Sequence, residues 1–512
     1  MPLYLTGNTL TIEDVVAVAR QNKEVALSSQ ARENMQNSYM WVRDASLGDR
    51  AIYGVNTGFG SLARLRIPPE QSSLLSRNLI RSHAAGVGPI APPDVTRAMM
   101  LLRANALSKG VSGCRPLLVE YLIAFLNHNL LPVIPMQGSC GSSGDLAPLA
   151  HLGLVLIGDP LGEAIVHGEK ISAPEALKKI GLEPILLEAK DGLAITNGAQ
   201  LSTALAALLC EDVRSLIKSA ELAASMSIEA LLGVSRAFHA SVHKLRPYRG
   251  AIECARQIRN HIQGSTLIDS VPEKVQDAYS LRCTPQVLGS VRDMYDFVSS
   301  QISIELNAAT DNPLILLEEP DENKAFSAGM FHGEPIGMAI DSLKIAICEL
   351  ASISERRLYR LTTGNLSQRL PPGLVGKDKP ALGMMVPQTT AAALVSENKS
   401  LAWPASVDSI PTCEDQEDHI AMSTVAARRC RKVFDNARRV IAIELLTAGH
   451  ALSYRIDKNP KHKLGKGTKK GYQMVHDILF EQSSNTLIAH QIEHIANQVQ
   501  KGAFAISTEE SS

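Results

Sequence analysis

Residues 138–151 read GSCGSSGDLAPLAH. Three glycines and three serines take six of the first seven positions, Cys140 the other, and an acidic residue then opens an apolar run. Asp145 is placed to cap a helix beginning at Leu146, because Pro148 is tolerated only in a helix's first turn. Taken alone, the Ser/Gly cluster reads most simply as an ordinary loop. An anion-binding turn at a helix N-terminus is a second reading, although no Gly-Lys-Ser/Thr follows it. A serine nucleophile is a third, but the elbow pattern Gly-x-Ser-x-Gly is absent. The fourth is backbone chemistry. The amide nitrogen of Gly144 attacks the Ser142 carbonyl carbon, and loss of water from that ring and from the Ser143 side chain leaves an exocyclic methylidene. That chemistry needs a β-hydroxyl at 143 and no side chain at 144, whose nitrogen must approach a carbonyl below contact distance.

The surrounding chain narrows the possibilities. It has 512 residues, 51 basic and 52 acidic, so nothing in the charge balance points to nucleic acid or another polyanion. Hydrophobic residues make up 45% but aromatics only 4%, so the core must be built from Leu, Ala, Ile and Val, which suits helix-on-helix packing. The eight cysteines are scattered without a CxxC pair, and neither a disulfide framework nor a zinc site is expected. No signal peptide or membrane-spanning run is read, and a soluble cytoplasmic protein is expected.

Glycine and proline interrupt residues 1 to about 200, as in YGVNTGFG (53–60) and GVGPIAPP (86–93). From Gln200 to about Phe238 they almost vanish while Leu and Ala dominate, which predicts one long helix. Similar stretches run from about Pro335 to Arg360 and from about Glu417 to Leu452, where Val425, Val433, Val440 and Leu445 recur at helical spacing. The expected fold is mainly α: an N-terminal domain (1–200) carrying the Ser/Gly loop, then a long-helix bundle (201–512). The lysine-rich DKNPKHKLGKGTKK (457–470) lacks interleaved aromatics and reads as a solvated loop.

GSxGxSGDLAPLxH resembles the signature of the aromatic amino acid ammonia-lyases and aminomutases, which build a methylidene-imidazolone (MIO) from an internal Xaa-Ser-Gly triad. YGVNTGFG, ITNGAQ (195–200), QDAYSLRCTPQVLG (276–289), ELNAATDNPL (305–314), FHGEP (331–335) and DQEDH (415–419) follow in the family's order, covering nearly the whole chain. Ser82-His83, Glu417 within QEDH, and LGKGT (464–468) resemble the histidine-specific branch rather than the phenylalanine or tyrosine enzymes. An imidazole carries two nitrogens, and each left unpaired in a buried pocket costs about 1–3 kcal/mol, which His83 and Glu417 can prevent.

The resemblance implies elimination of ammonia from L-histidine to trans-urocanate. The MIO would form from Ser142-Ser143-Gly144, with no external cofactor and no metal. The alternative is a phenylalanine or tyrosine ammonia-lyase, or a 2,3-aminomutase. Tyr53 matches the family's base, and Tyr279 the residue beside the electrophile. Arg282 would clamp the substrate carboxylate, Asn197 and Gln276 would be amide partners, and His83, Glu417 and Gln416 would meet the ring. Phe331 would wall the pocket. Each has a plainer reading: a buried structural tyrosine, an arginine paired with an internal carboxylate, amide networking, a structural histidine, a core phenylalanine. Asp145, Asn307 and Asp311 read as structural. The family assembles as a homotetramer with shared active sites.

The chain also departs from the pattern. Residue 142 is usually alanine, Met330 replaces a common asparagine, and LRPYRGAI (245–252) replaces a familiar RPHxGQ. Glu414 and Asp415 in CEDQEDH add negative charge near Glu417, which predicts a raised Glu417 pKa.

Overall fold

The uninterrupted Leu/Ala run after Asn197 forms a helix over Gln200–Ala230, shorter than the expected 200–238. It stops because Leu232 turns into the left-handed region (φ 53). Gly233 N–H then closes back on the Ile228 carbonyl at 2.9 Å. Lys274 Nζ donates to the Leu231 and Leu232 carbonyls at 3.0 and 2.9 Å, placing a cation on the helix's negative end.

The computed structural model describes residues 1–58, 65–319, 324–375, 383–481 and 487–506. Phe59 and Gly60, which end YGVNTGFG, lie outside them. The other long helices are Thr284–Glu305, Glu334–Thr362 and Ser423–Lys458. The mainly α class is correct, with only short strands beside these helices. The last helix starts later than the expected 417. Cys413, Glu414, Asp415 and Met422 all hold positive φ, so Glu417 lies in a loop ahead of it. Within that helix Val433, Val440 and Leu445 are fully buried, whereas Val425 is half-buried.

The chain divides into two compact units. The first comprises Met1–Glu211, Ser299–Asp341 and Pro404–Arg428. Its strands are minor: Leu3–Leu5 pairs in parallel with Val25–Leu27, and Leu130–Pro132, Glu163–Val166 and Glu169–Ser172 form a three-stranded antiparallel sheet. A buried Lys190–Asp311 pair at 2.7 Å ties two of its segments, and Asn307 bridges to both backbone groups of Leu10, so these two acid and amide residues are structural.

The second unit comprises Asp212–Val298, Ser342–Trp403 and Arg429–Ser512. Its core is aliphatic, as the composition requires, around a fully buried ion pair. Arg357 Nε donates to Glu444 Oε1 at 2.5 Å and its Nη2 to Oε2 at 2.8 Å, while Ser227 and Ser354 donate to the same carboxylate. The lysine-rich segment departs from an all-loop reading: the helix runs on to Lys458 and another begins at Lys466. Between them Gly465 N–H donates to buried Glu229 at 2.8 Å. All eight cysteines are free thiols. Among the described residues no helix is long and apolar enough to cross a membrane, and no acid, thiol or imidazole cluster has metal-holding geometry.

Candidate active site

The Ser/Gly loop lies in the first unit, where several helices begin. Leu146–Leu156 starts directly after it, and a Gly144–Gly198 bridge joins it to the residues preceding the helix Gln200–Ala230. Gly333 N–H donates to the Gly141 carbonyl at 2.9 Å just ahead of the helix at Glu334, and Met422 N–H to the Cys140 carbonyl at 2.7 Å just ahead of the helix at Ser423. Helix N-termini carry partial positive charge, so this loop sits in positive potential.

Asp145 does not cap its helix, correcting the expectation from sequence. Its carboxylate accepts from Ser139 Oγ at 2.7 Å, from both the N–H and the hydroxyl of Ser202 at 2.9 Å, and from Thr424. Those donors arrive from three chain segments and hold the loop from beneath. Gly144 is confined above: its φ is 74°, and a Cβ there would lie 2.2 Å from the Gly198 carbonyl carbon. A residue without a side chain is therefore required at the position whose nitrogen would close a ring, so the triad fits an MIO.

Glu417 reaches both serines. Ser143 Oγ donates to its Oε1 at 2.5 Å, Ser142 Oγ to its Oε2 at 2.8 Å, and Thr412 Oγ1 to the same Oε2 at 2.7 Å. Burial pushes this carboxyl's pKa up, but donation from Ser143, Thr412, Ser142 and the Cys413 thiol outweighs it, and the net shift is downward. The expected rise from Glu414 and Asp415 is thus overturned; both side chains are exposed, while the hydroxyls touch the carboxylate. His83 ends the helix Ser72–His83, with Ser82 Oγ 3.0 Å from its Nδ1. Burial lowers its pKa despite an opposing hydrogen bond to Leu79 and the charge of Glu417, so the ring is neutral near pH 7.

Asn197 caps the C-terminus of the short helix Asp191–Thr196; buried Arg103 donates to its carbonyl at 2.8 Å, and its side-chain Oδ1 is buried without a hydrogen-bond partner. Tyr53 is half-buried in a turn that Gly54 lets sit against Leu193 of that helix, since a Cβ at 54 would lie 2.6 Å from Leu193 Cδ2. Phe331 is half-buried beside the Gly333 contact to the loop, and His332 stacks on His419 with centroids 6.0 Å apart. Gln416 is exposed, with its N–H on the Cys413 carbonyl at 3.2 Å. Met330 is 49% exposed.

Gln276, Tyr279 and Arg282 belong to the second unit. Arg282 lies over the Tyr279 ring, 4.6 Å from its centroid, and its Nε donates to the Asp277 carbonyl at 2.8 Å. Among the described residues no carboxylate forms an ion pair with Arg282. Tyr279 is 71% exposed and Gln276 is exposed. Reading by motif missed Thr412 and Cys413 as donors to Glu417 and Arg103 beneath Asn197. Nothing local in the sequence marks them, because each acts through a contact made only on folding.

Residues 10–477 match the family described as aromatic amino acid lyase. A protein named histidine ammonia-lyase from Caldanaerobacter subterraneus subsp. tengcongensis is 48% identical over 476 residues, 93% of this chain and 92% of its own. The crystal structure of histidine ammonia-lyase from Trypanosoma cruzi superposes with a TM-score of 0.89 at 36% identity, covering 98% of this chain and 94% of that one. A tyrosine aminomutase from Streptomyces globisporus superposes with a TM-score of 0.90 at 34% identity, covering 98% of each chain.

Proposed function

This chain belongs to the aromatic amino acid lyase family, and we propose that it eliminates ammonia from L-histidine to give trans-urocanate. The observation that carries the substrate is the half-buried Glu417 carboxylate at the Ser/Gly loop, accepting from Ser142 and Thr412, with the half-buried imidazole of His83 as a second polar group. Between them they satisfy both ring nitrogens of histidine. A purely apolar side chain would leave the Glu417 charge half-buried and unpaired, at a cost of about 1–3 kcal/mol or more.

Ser142, Ser143 and Gly144 are the residues that would form the MIO, whose electrophilic methylidene supplies a means of turning the substrate amine into a leaving group. The chain's own residues do the rest. Arg282 holds the substrate carboxylate, with Tyr279 against its guanidinium and Gln276 and Asn197 offering amide contacts. Phe331 and Gln416 complete the surround of the ring. Tyr53, as phenolate, takes the β-proton, the Cβ–H electron pair becomes the new double bond, and the Cα–N bond breaks. A phenol with an ordinary pKa near 10 acts there because the converging helix N-termini favour its anion.

The functional assembly is proposed to be a cytoplasmic homotetramer whose sites draw residues from more than one copy. In support, Met338, Ile345 and Tyr359 recur at multiples of seven on the helix Glu334–Thr362 and are 60%, 47% and 44% exposed. Phe297 and Ile304 repeat the spacing on Thr284–Glu305 at 52% and 67%. An apolar stripe at that spacing suits packing against another helix.

The test is near-UV absorbance of product from L-histidine, L-phenylalanine and L-tyrosine, with Ser143→Ala as control. A rise with histidine alone, absent from the control, is expected. A rise with an aromatic amino acid instead would overturn the substrate assignment.

A further inference from the structure

Glu417 carries more donors than recognition of a ring nitrogen requires, and they are unevenly divided. Among the serine and threonine hydroxyls of the described residues, Oε1 accepts from Ser143 alone, at 2.5 Å. Oε2 accepts from Ser142 at 2.8 Å and Thr412 at 2.7 Å. MIO formation consumes the Ser143 hydroxyl as one water and the Ser142 carbonyl oxygen as the other, leaving the Ser142 side chain intact. Maturation therefore strips a donor from Oε1 and none from Oε2.

We propose that Ser142 is a positioning residue: with Thr412 it anchors Oε2, so that Oε1, vacated by Ser143, is the oxygen offered to the N–H of the substrate imidazole. This deepens the histidine reading and rests on it. The physical case is rotational. The terminal torsion of a glutamate is broad and roughly two-fold, so a carboxylate held by one hydroxyl can swing, whereas two hydroxyls on the same oxygen define its plane. A serine at 142 thereby does for Glu417 what alanine there cannot. It also keeps a donor on the charged form after Ser143 is spent. The other titratable groups facing Glu417 are His83 from the helix Ser72–His83, Cys140 from the serine loop and Cys413 from its own loop.

One arm of the test avoids the cofactor. Ser143→Ala has no β-hydroxyl to lose, so it cannot form the methylidene, and it already lacks the hydroxyl on Oε1; imidazole is therefore titrated calorimetrically into this full-length variant and into the Ser142→Ala/Ser143→Ala double variant. Binding to the first and roughly tenfold weaker binding to the second are expected, the scale of one hydrogen bond to a charged group. The other arm uses Ser142→Ala and Ser142→Thr with Ser143 intact, each checked by intact mass for loss of two waters. In Ser142→Ala the KM for histidine should rise roughly three- to tenfold with a smaller change in kcat. The acid limb of kcat/KM should move to higher pH, because a donor to the carboxylate is gone. Ser142→Thr should restore both.

Equal imidazole affinity with and without the Ser142 hydroxyl, absence of imidazole binding to Ser143→Ala, or an unmoved acid limb would each overturn the proposal. So would a Ser142→Ala chain that keeps both waters, since the hydroxyl would then serve ring closure. Failure of the underlying reading looks different: the unsubstituted chain, already short of two waters, leaves histidine untouched.

Discussion

Glu417 and Gly144 show what single side chains decide. Glu417→Gln keeps the size and removes the charge that Ser142, Ser143 and Thr412 donate to. It should lower kcat/KM for histidine roughly 10- to 100-fold while intact mass still shows loss of two waters. Gly144→Ala should retain both waters, because its Cβ has no space beside Gly198 and its φ of 74° disfavours any side chain. A half-buried acid, the first residue of the ELNAATDNPL stretch, gives a pH effect. Burial, with the charge of Asp145 adding to it, lifts Glu305 to about 7 from its ordinary 4.5. Below the unfolded value both states hold the proton. As pH rises from about 4.5 to about 7 the unfolded chain ionises first, so the folded state loses stability across that window and does not regain it above. Thermal melts should therefore show Glu305→Gln level with the parent near pH 4 and higher in Tm near pH 8. The identities of Tyr53, His83, Ser143, Arg282 and Glu417 as candidates were legible from motif order. The direction of the Glu417 shift was not: charge read along CEDQEDH pointed upward, and the donors that reverse it are Ser143 and Ser142 together with Thr412 and Cys413 of its own loop.

At the scale of elements, composition carried most of the information. A Leu/Ala run without Gly or Pro dictated the helix Gln200–Ala230, and Glu334–Thr362 carries Pro and Gly only in its first turn. Helix ends were less legible, because Leu232 beyond the first and Glu414 and Met422 ahead of Ser423–Lys458 adopt positive φ without being glycine or asparagine. In the second unit Glu444 ties the helices Gln200–Ala230 and Glu334–Thr362 to its own, through Ser227, Ser354 and Arg357. Glu444→Ala strands the fully buried Arg357 guanidinium and should cost about 3–5 kcal/mol, read as a lower midpoint in urea unfolding. Glu444→Gln, which keeps acceptors for the serines, should cost less.

For the whole molecule, the proposed sharing of sites among copies makes a prediction that neither unit makes alone. Ser143→Ala and Arg282→Ala should each be inactive. When both are refolded together, mixed tetramers should recover part of the parent activity, since some sites then combine an intact loop with an intact Arg282. Light scattering should give about four times the 55.2 kDa chain mass. Absence of recovery from verified mixed tetramers would place Ser143 and Arg282 of each site on one copy.

The amino-acid sequence by itself determined the family and the helical class, and it named the candidate site residues, because motif identity and Leu/Ala patterning are properties of neighbours along the chain. Tertiary structure alone decided what those residues are bonded to. Asp145 sits where a cap belongs, yet it accepts from Ser202 and Thr424 instead. Glu417 lies among acids, yet it is held anionic by a serine 274 residues away. A short hydrogen bond acts over about 3 Å, so charge state and orientation follow from whichever donor folding brings that close, and proximity along the chain does not reveal it.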